Sequence, residues 1–218
     1  MLIDKNTVEA DNQMINSGTL SHIGSPTAAR RILIVGNSIT RHGPKAEIGW
    51  ERDWGMAASA PERDYVHRLF AMLKADGQDV LFRIKQCAYY ERNFRKEGIL
   101  AEYDGERAFD PHVLIFRIGE NVAKEERPLF KDKMRDFVDH ICPNGKVIFT
   151  TCFWKNPVID TAIREIAAER GEECVDICFS ADEANMALDL FRHRGVGLHP
   201  GDVGMERIAE AIFQKLKK

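Results

Sequence analysis

Apolar residues along this chain gather into short unbroken runs, separated by stretches whose apolar positions recur at helical spacing. Ile32-Leu33-Ile34-Val35, Val113-Leu114-Ile115-Phe116 and Val147-Ile148-Phe149 lack the strict alternation of a sheet with one wet face. A strand covered by helices on both sides has no polar face to show, so these runs predict a buried parallel sheet. Strands are expected over 31–37, 79–87, 112–118, 146–153 and 173–178.

The stretches between them carry helix signals. Ser59-Ala60-Pro61-Glu62 reads as a capping box with proline in the first turn. Tyr65, Leu69 and Leu73 then share a face, and Gly77 ends that helix. Residues 126–141 direct Leu129, Met134, Phe137 and Ile141 toward a core, and a further helix covers 157–169. The last helix has Asp202 as expected N-cap and lines up Met205, Ile208, Ile212 and Leu216. Repeated strand–helix units predict a three-layer α/β/α sandwich with right-handed crossovers, its sheet parallel and five-stranded. Residues 1–28 are polar and broken by Ser17-Gly18 and Ser25-Pro26, so they read as an N-terminal extension that packs loosely or supplies a homo-oligomer contact. Residues 29–218 form the domain.

Composition narrows the function classes. A chain of 218 residues with net charge -3 suits one soluble domain and gives no reason to expect nucleic acid or an anionic membrane as partner. No apolar run reaches membrane-spanning length and the amino terminus lacks a signal-like apolar core, so the expected location is cytoplasmic. The five cysteines, Cys87, Cys142, Cys152, Cys174 and Cys178, show no CxxC pair and read as buried reduced thiols, not as metal ligands. His42, His67, His112, His140 and His193 show no ligand spacing either; His42 and His193 stay as candidates for the mouth of a site.

Candidate chemistry sits at two places. Ser38 directly follows the first strand, at the carboxyl end where open α/β sheets bind ligands. His199 precedes the last helix. A serine and a histidine at the mouth of one sheet suggest a nucleophile and its base. Read alone, Ser38 could instead cradle a phosphate at a strand-to-helix turn, as in a nucleotide or flavin binder.

Gly36-Asn37-Ser38-Ile39-Thr40 resembles the first block, Gly-Asp-Ser-Ile-Thr, of the SGNH (GDSL-like) hydrolases. Gly119-Glu120-Asn121 resembles that family's Gly-x-Asn-Asp block, and Gly197-Leu198-His199-Pro200 its last, Asp-Gly-x-His-Pro. The blocks run in the family's order over about 30–218. The resemblance implies a flavodoxin-like sheet and serine esterase or acylhydrolase chemistry on a small-molecule ester, an acetyl ester of a carbohydrate or related alcohol among the candidates. Neither a metal nor an organic cofactor is implied. It makes Ser38 the nucleophile, His199 the base, and Asn121 an oxyanion donor beside the Ser38 N–H.

The sequence departs from the pattern in three places. The second block's glycine is absent from Lys85-Gln86-Cys87-Ala88-Tyr89-Tyr90-Glu91-Arg92, leaving the backbone N–H of Cys87 or Ala88 as substitute donor. Val196 stands where the family has its triad aspartate. Losing that carboxylate costs on the order of 10⁴ in turnover elsewhere. Either a backbone carbonyl orients the ring, or another acid does, with Glu120 and Asp189 the nearest in sequence. Asn37 replaces the first block's aspartate, which takes no catalytic part.

A long segment, Arg41 to Ala58, follows the nucleophile, as binding loops do. Trp50 and Trp54 in it, with Tyr89 and Trp154 at strand ends, are candidate substrate-binding residues; Tyr90 and Phe153 are weaker ones. Both tryptophans serve equally as satellite core. The rival functions are a non-catalytic ligand-binding protein on the same fold and an acyltransferase.

Overall fold

The computed structural model describes residues 21–217. Its strands are β1 (Ser21–Gly24), β2 (Arg30–Gly36), β3 (Val80–Gln86), β4 (Val113–Arg117), β5 (Lys146–Thr150) and β6 (Glu173–Val175). The helices are α1 (Tyr65–Ala75), α2 (Ala88–Asn93), α3 (Asp104–Ala108), α4 (Phe130–Ile141), α5 (Pro157–Arg170), α6 (Arg194–Gly197) and α7 (Asp202–Leu216). Strand order is β1-β3-β2-β4-β5-β6, parallel throughout except that β1 runs antiparallel to β3. The five expected parallel strands are present, so the sheet is a flavodoxin-like one with a sixth strand added at its edge.

Both faces of the sheet are covered, which is why its strands lack polar alternation. Leu33, Val35, Leu114, Phe116, Val147 and Phe149 point to a core shared with α4 and α5. Ile32, Ile34, Phe82, Val113, Ile115 and Ile148 point the other way, into a core closed by α1 and α7. Each buried side chain of this size contributes roughly 1.5–3 kcal/mol.

Several element boundaries differ from the sequence expectation. Residues 21–24 belong to β1, so that part of the 1–28 extension is sheet, pairing His22 with Arg83 and Ile23 with Phe82; residues 1–20 lie outside the described residues. Ser59 does not cap α1. Pro61–Arg63 form one 3-10 turn, and Asp64 is the cap, its carboxylate accepting from His67 N at 2.8 Å. Asp202 is the first residue of α7 rather than its cap; its carboxylate accepts instead from the backbone N–H and hydroxyl of Ser59 at 2.9 and 2.6 Å. Leu129 ends a 3-10 stretch that contains Pro128, lies outside α4 and is exposed, so it does not join that helix's buried face.

The site is positioned by the point where chain connections reverse. From β2 the chain goes outward to β3, then crosses back to β4 on the other side of β2. The turns leaving β2 and β4 therefore diverge, and a crevice opens at their carboxyl ends. In register, Gly36 lies beside Gln86 on one side and Arg117 on the other.

Candidate active site

Gly36 ends β2 against Thr40, where a Cβ would sit 1.7 Å from the threonine hydroxyl; only glycine lets the chain fold back this tightly. The N–H groups of Thr40 and Arg41 then both donate to the Asn37 carbonyl at 2.9 and 3.0 Å, and Ser38 faces the crevice between two buried neighbours. His199 comes from the turn between α6 and α7. Its carbonyl accepts from Ala187 N at 3.0 Å, and Pro200 bridges to Met186, so the loop preceding α6 fixes the turn.

These two side chains meet. Ser38 Oγ lies 2.8 Å from His199 Nε2, and His199 Nδ1 lies 2.7 Å from the carbonyl oxygen of Gly195. A carbonyl only accepts, so Nδ1 carries the proton and Nε2 presents its lone pair to the serine hydroxyl. Burial pushes the His199 pKa down to about 3, with His42 and Arg117 adding to the effect and the Gly195 carbonyl opposing it. The ring is thus neutral at physiological pH, as a base must be.

Beneath the serine lies a polar network. Arg117, the last residue of β4, is fully buried and donates to Glu120 Oε1 at 2.8 Å, to Thr40 Oγ1 at 3.3 Å and to Asn37 Oδ1. Burial opposes its charge, but the Glu120 carboxylate holds the pKa above the ordinary guanidinium value. Removing one member of such a buried pair costs about 3–5 kcal/mol, since the other charge is then stranded. Glu120 also accepts from Asn37 Nδ2 at 2.6 Å and from Phe153 N at 3.1 Å. Asn37 therefore donates and accepts at once, which the family's usual aspartate would not do beside this glutamate.

Glu91, on α2, is buried under the same wall. It accepts from Gly119 N at 2.5 Å, Asn121 N at 3.2 Å, Asn121 Nδ2 at 2.6 Å and Asn37 Nδ2 at 3.3 Å. Burial raises its pKa, and the N–H donors of Gly119 and Asn121 draw it back. Gly119 has φ +143, with Ile159 and Cys152 within 2.6 and 3.0 Å of where a Cβ would be, so this turn also requires glycine.

A cleft of about 220 Å³ joins Ser38, His42, Met56, Arg92, Glu120, Asn121, Trp154 and His199. A larger open depression of about 550 Å³ along α7 is lined by Met72, Phe179 and Phe213 with Arg207, Glu210 and Gln214, and holds no serine, cysteine or histidine. The cleft brings together several predicted residues. Trp154 stands edge-on to the His199 ring, centroids 5.1 Å apart, and its Nε1 donates to Leu198 O at 3.2 Å.

Other predicted residues do not take the roles expected of them. The Ala88 N–H is committed to Gln86 Oε1 at 3.0 Å and that of Cys87 to Gly36 O at 2.6 Å, so neither serves as oxyanion donor. Glu120 lines the cleft but its oxygens are held by Arg117, Asn37 and Phe153 N, away from the imidazole. Asp189 is exposed at a positive-φ turn, and the ring nitrogen it was to orient bonds to Gly195 instead. Trp50 is core: its indole is 1 % exposed, donates to His42 O and packs on Trp54 and Phe191. Trp54 donates to Ala58 O and borders a separate polar pocket with His22 and Arg41. Tyr89 leans on the α4–α5 core, its hydroxyl taken by Lys96 at 3.0 Å. Tyr90 and Phe153 are buried in the two cores, and His193 does not line the cleft.

Sequence reasoning missed Gly195, Glu91, Arg92, Met56 and Arg117. One signal was present: Arg117 is a lone charge inside the apolar run of β4. All five cysteines are free thiols, and burial holds the Cys142 pKa up at about 11. Among the described residues there is no cluster able to hold a metal ion, and no helix long and apolar enough to cross a membrane.

No protein-family model matches the chain, and no curated protein matches it. Solved structures do. An acetylxylan esterase from Geobacillus stearothermophilus shares 16% identity, with 90% of this chain and 96% of that one covered and a TM-score of 0.55. A psychrotrophic esterase from Pseudoalteromonas sp., solved inhibited by monoethylphosphonate, shares 14% over 86% and 97%, also at 0.55. A member of the lipolytic G-D-S-L family from Veillonella parvula shares 15% over 85% and 97%, at 0.54. At these identities the likeness is one of fold, and it is the fold that the three sequence blocks implied.

Proposed function

We propose that this protein is a serine esterase that removes a small acyl group from an alcohol. The observation that carries the reading is the chain of contacts Ser38 Oγ–His199 Nε2–Nδ1–Gly195 O, at 2.8 and 2.7 Å. His199 takes the Ser38 proton as the oxygen attacks the ester carbonyl. The tetrahedral intermediate's oxyanion is met by the Ser38 N–H and an N–H of Asn121. His199 returns the proton to the departing alcohol, leaving an acyl-serine. Water, deprotonated by the same ring, then releases the carboxylic acid and regenerates the serine. The Gly195 carbonyl supplies tautomer and orientation without a formal negative charge.

The cleft's modest volume favours a short acyl group, with Trp154 and Met56 as its apolar walls. A carbohydrate or related alcohol as the leaving partner is supported by the acetylxylan esterase among the structural neighbours. Ser38→Ala is expected to reduce hydrolysis of a short-chain activated ester to background, and a fluorophosphonate probe to label the wild-type protein at Ser38. Wild-type turnover in Ser38→Ala would sink the proposal.

A further inference from the structure

The two backbone N–H groups offered in place of the missing glycine's, those of Cys87 and Ala88, are committed inside the fold, so more of the oxyanion's stabilisation falls on Asn121. An asparagine amide can serve only if its NH₂ end, not its carbonyl, faces the reacting oxygen. We propose that Glu91 and Arg92, neighbours on α2, clamp the Asn121 amide in that orientation and are positioning residues for the reaction. The inference rests on the esterase reading of the cleft.

The argument is one of donors and acceptors. Arg92 has only donors, and its Nη2 meets Asn121 Oδ1 at 2.5 Å. Glu91 Oε2 meets Asn121 Nδ2 at 2.6 Å, while Oε1 of the same carboxylate holds the Asn121 backbone N–H at 3.2 Å. Turning the amide over would set its oxygen against a carboxylate and its NH₂ against a guanidinium, losing both charge-assisted bonds at once. The amide nitrogen has two hydrogens; Glu91 takes one, and the second remains for a ligand. Both Arg92 and Asn121 line the cleft with Ser38. Adjacent residues on a helix diverge by about 100°, which lets one turn of α2 reach both ends of one side chain.

The test is a set of double-mutant cycles on a short-chain activated ester. Removing an oxyanion donor costs about 10²–10³ in kcat, so Asn121→Ala is expected to lose that much. Arg92→Met and Glu91→Gln should each lower kcat by about tenfold or more with KM little changed, and Arg92→Lys should recover part of the loss. Combined with Asn121→Ala, neither should slow the reaction further, because each acts through a side chain already gone. Multiplying losses in the double variants, or wild-type kcat in both singles, would overturn the clamp. The side-chain amide of Asn121 in ¹⁵N spectra gives a readout independent of turnover. One sharp resonance pair is expected in the wild type, and a shifted or doubled pair in Arg92→Met; an unchanged pair overturns the clamp. Failure of the wild type to be labelled at Ser38 would sink the esterase reading while leaving these spectra to judge the clamp.

Discussion

At position 196 an apolar side chain has a packing task. Val196 is buried with Ile48, Trp50, Met56 and Ala187 in a small third core, so the place where the resembled sequence pattern has an aspartate is here part of the hydrophobic interior. Val196→Asp would sink a carboxylate among these groups. The expected result is a loss of about 2–4 kcal/mol in stability, read by denaturant unfolding, with no gain in turnover; a faster enzyme of unchanged stability would contradict it. The pH dependence of catalysis belongs at the same scale. The proposed mechanism needs a neutral His199, and a ring whose pKa is lowered to about 3 stays neutral far below its ordinary value of 6.5. The profile of kcat/KM should therefore run level from neutral pH down to ~5, without an inflection near 6.5. Such an inflection would mean the base titrates like an exposed imidazole. Ser38 and Trp154 were legible from their places at or just past strand ends, and Asn121 and His199 through the blocks Gly119-Glu120-Asn121 and Gly197-Leu198-His199-Pro200 that resemble the SGNH pattern. Glu91 and Arg92 were not, since adjacent charges in sequence read as solvated surface. The Gly195 acceptor has no letter at all.

Elements were legible to within a few residues wherever apolar periodicity was strong, and their ends were set by contacts that periodicity does not carry. The start of α1 illustrates this. Ser59 and Glu62 have the spacing of a capping box, yet the helix begins after Asp64, whose carboxylate also accepts from Gly55 N at 3.1 Å and contacts His67 Nδ1 at 2.9 Å. Asp64 thus ties the loop that covers the site to the first turn of α1, while Ser59 ties it to α7. Loss of an ordinary cap costs about 0.5–2 kcal/mol. Asp64→Ala should fall at or above the top of that range, because the buried Gly55 N–H loses its acceptor too, and thermal melting reads the difference. A cost below about 0.5 kcal/mol would show that Asp64 is only a surface cap. The short helices α2, α3 and α6 were not predicted. Each spans at most six residues, too few for a period to declare itself.

For the whole molecule, the three-layer sandwich and the place of its crevice followed from counting buried runs and their connecting helices. What escaped was the edge. Ser21–Gly24 is too short and too polar to read as a strand, yet it pairs along β3 and covers an edge that would otherwise present an open row of N–H and C=O groups. A chain beginning at Ser25 is expected to melt at lower temperature and to aggregate more readily, while the proposed esterase activity of each folded molecule persists, since β1 lies across β3 from Ser38. Equal melting temperatures would show that the edge strand is dispensable.

The oxygen that steadies the imidazole belongs to the peptide backbone, and this has a genetic consequence. No codon change at residue 195 deletes it, so on the proposed mechanism a saturation screen would return Ser38, His199 and the side chains that hold the oxyanion, yet no residue that orients the imidazole, however thoroughly it was run. The partner would come to light only through replacements that bend the chain, such as a proline at the neighbouring residue 196, whose fixed φ and missing N–H would misdirect the carbonyl without altering any reactive group.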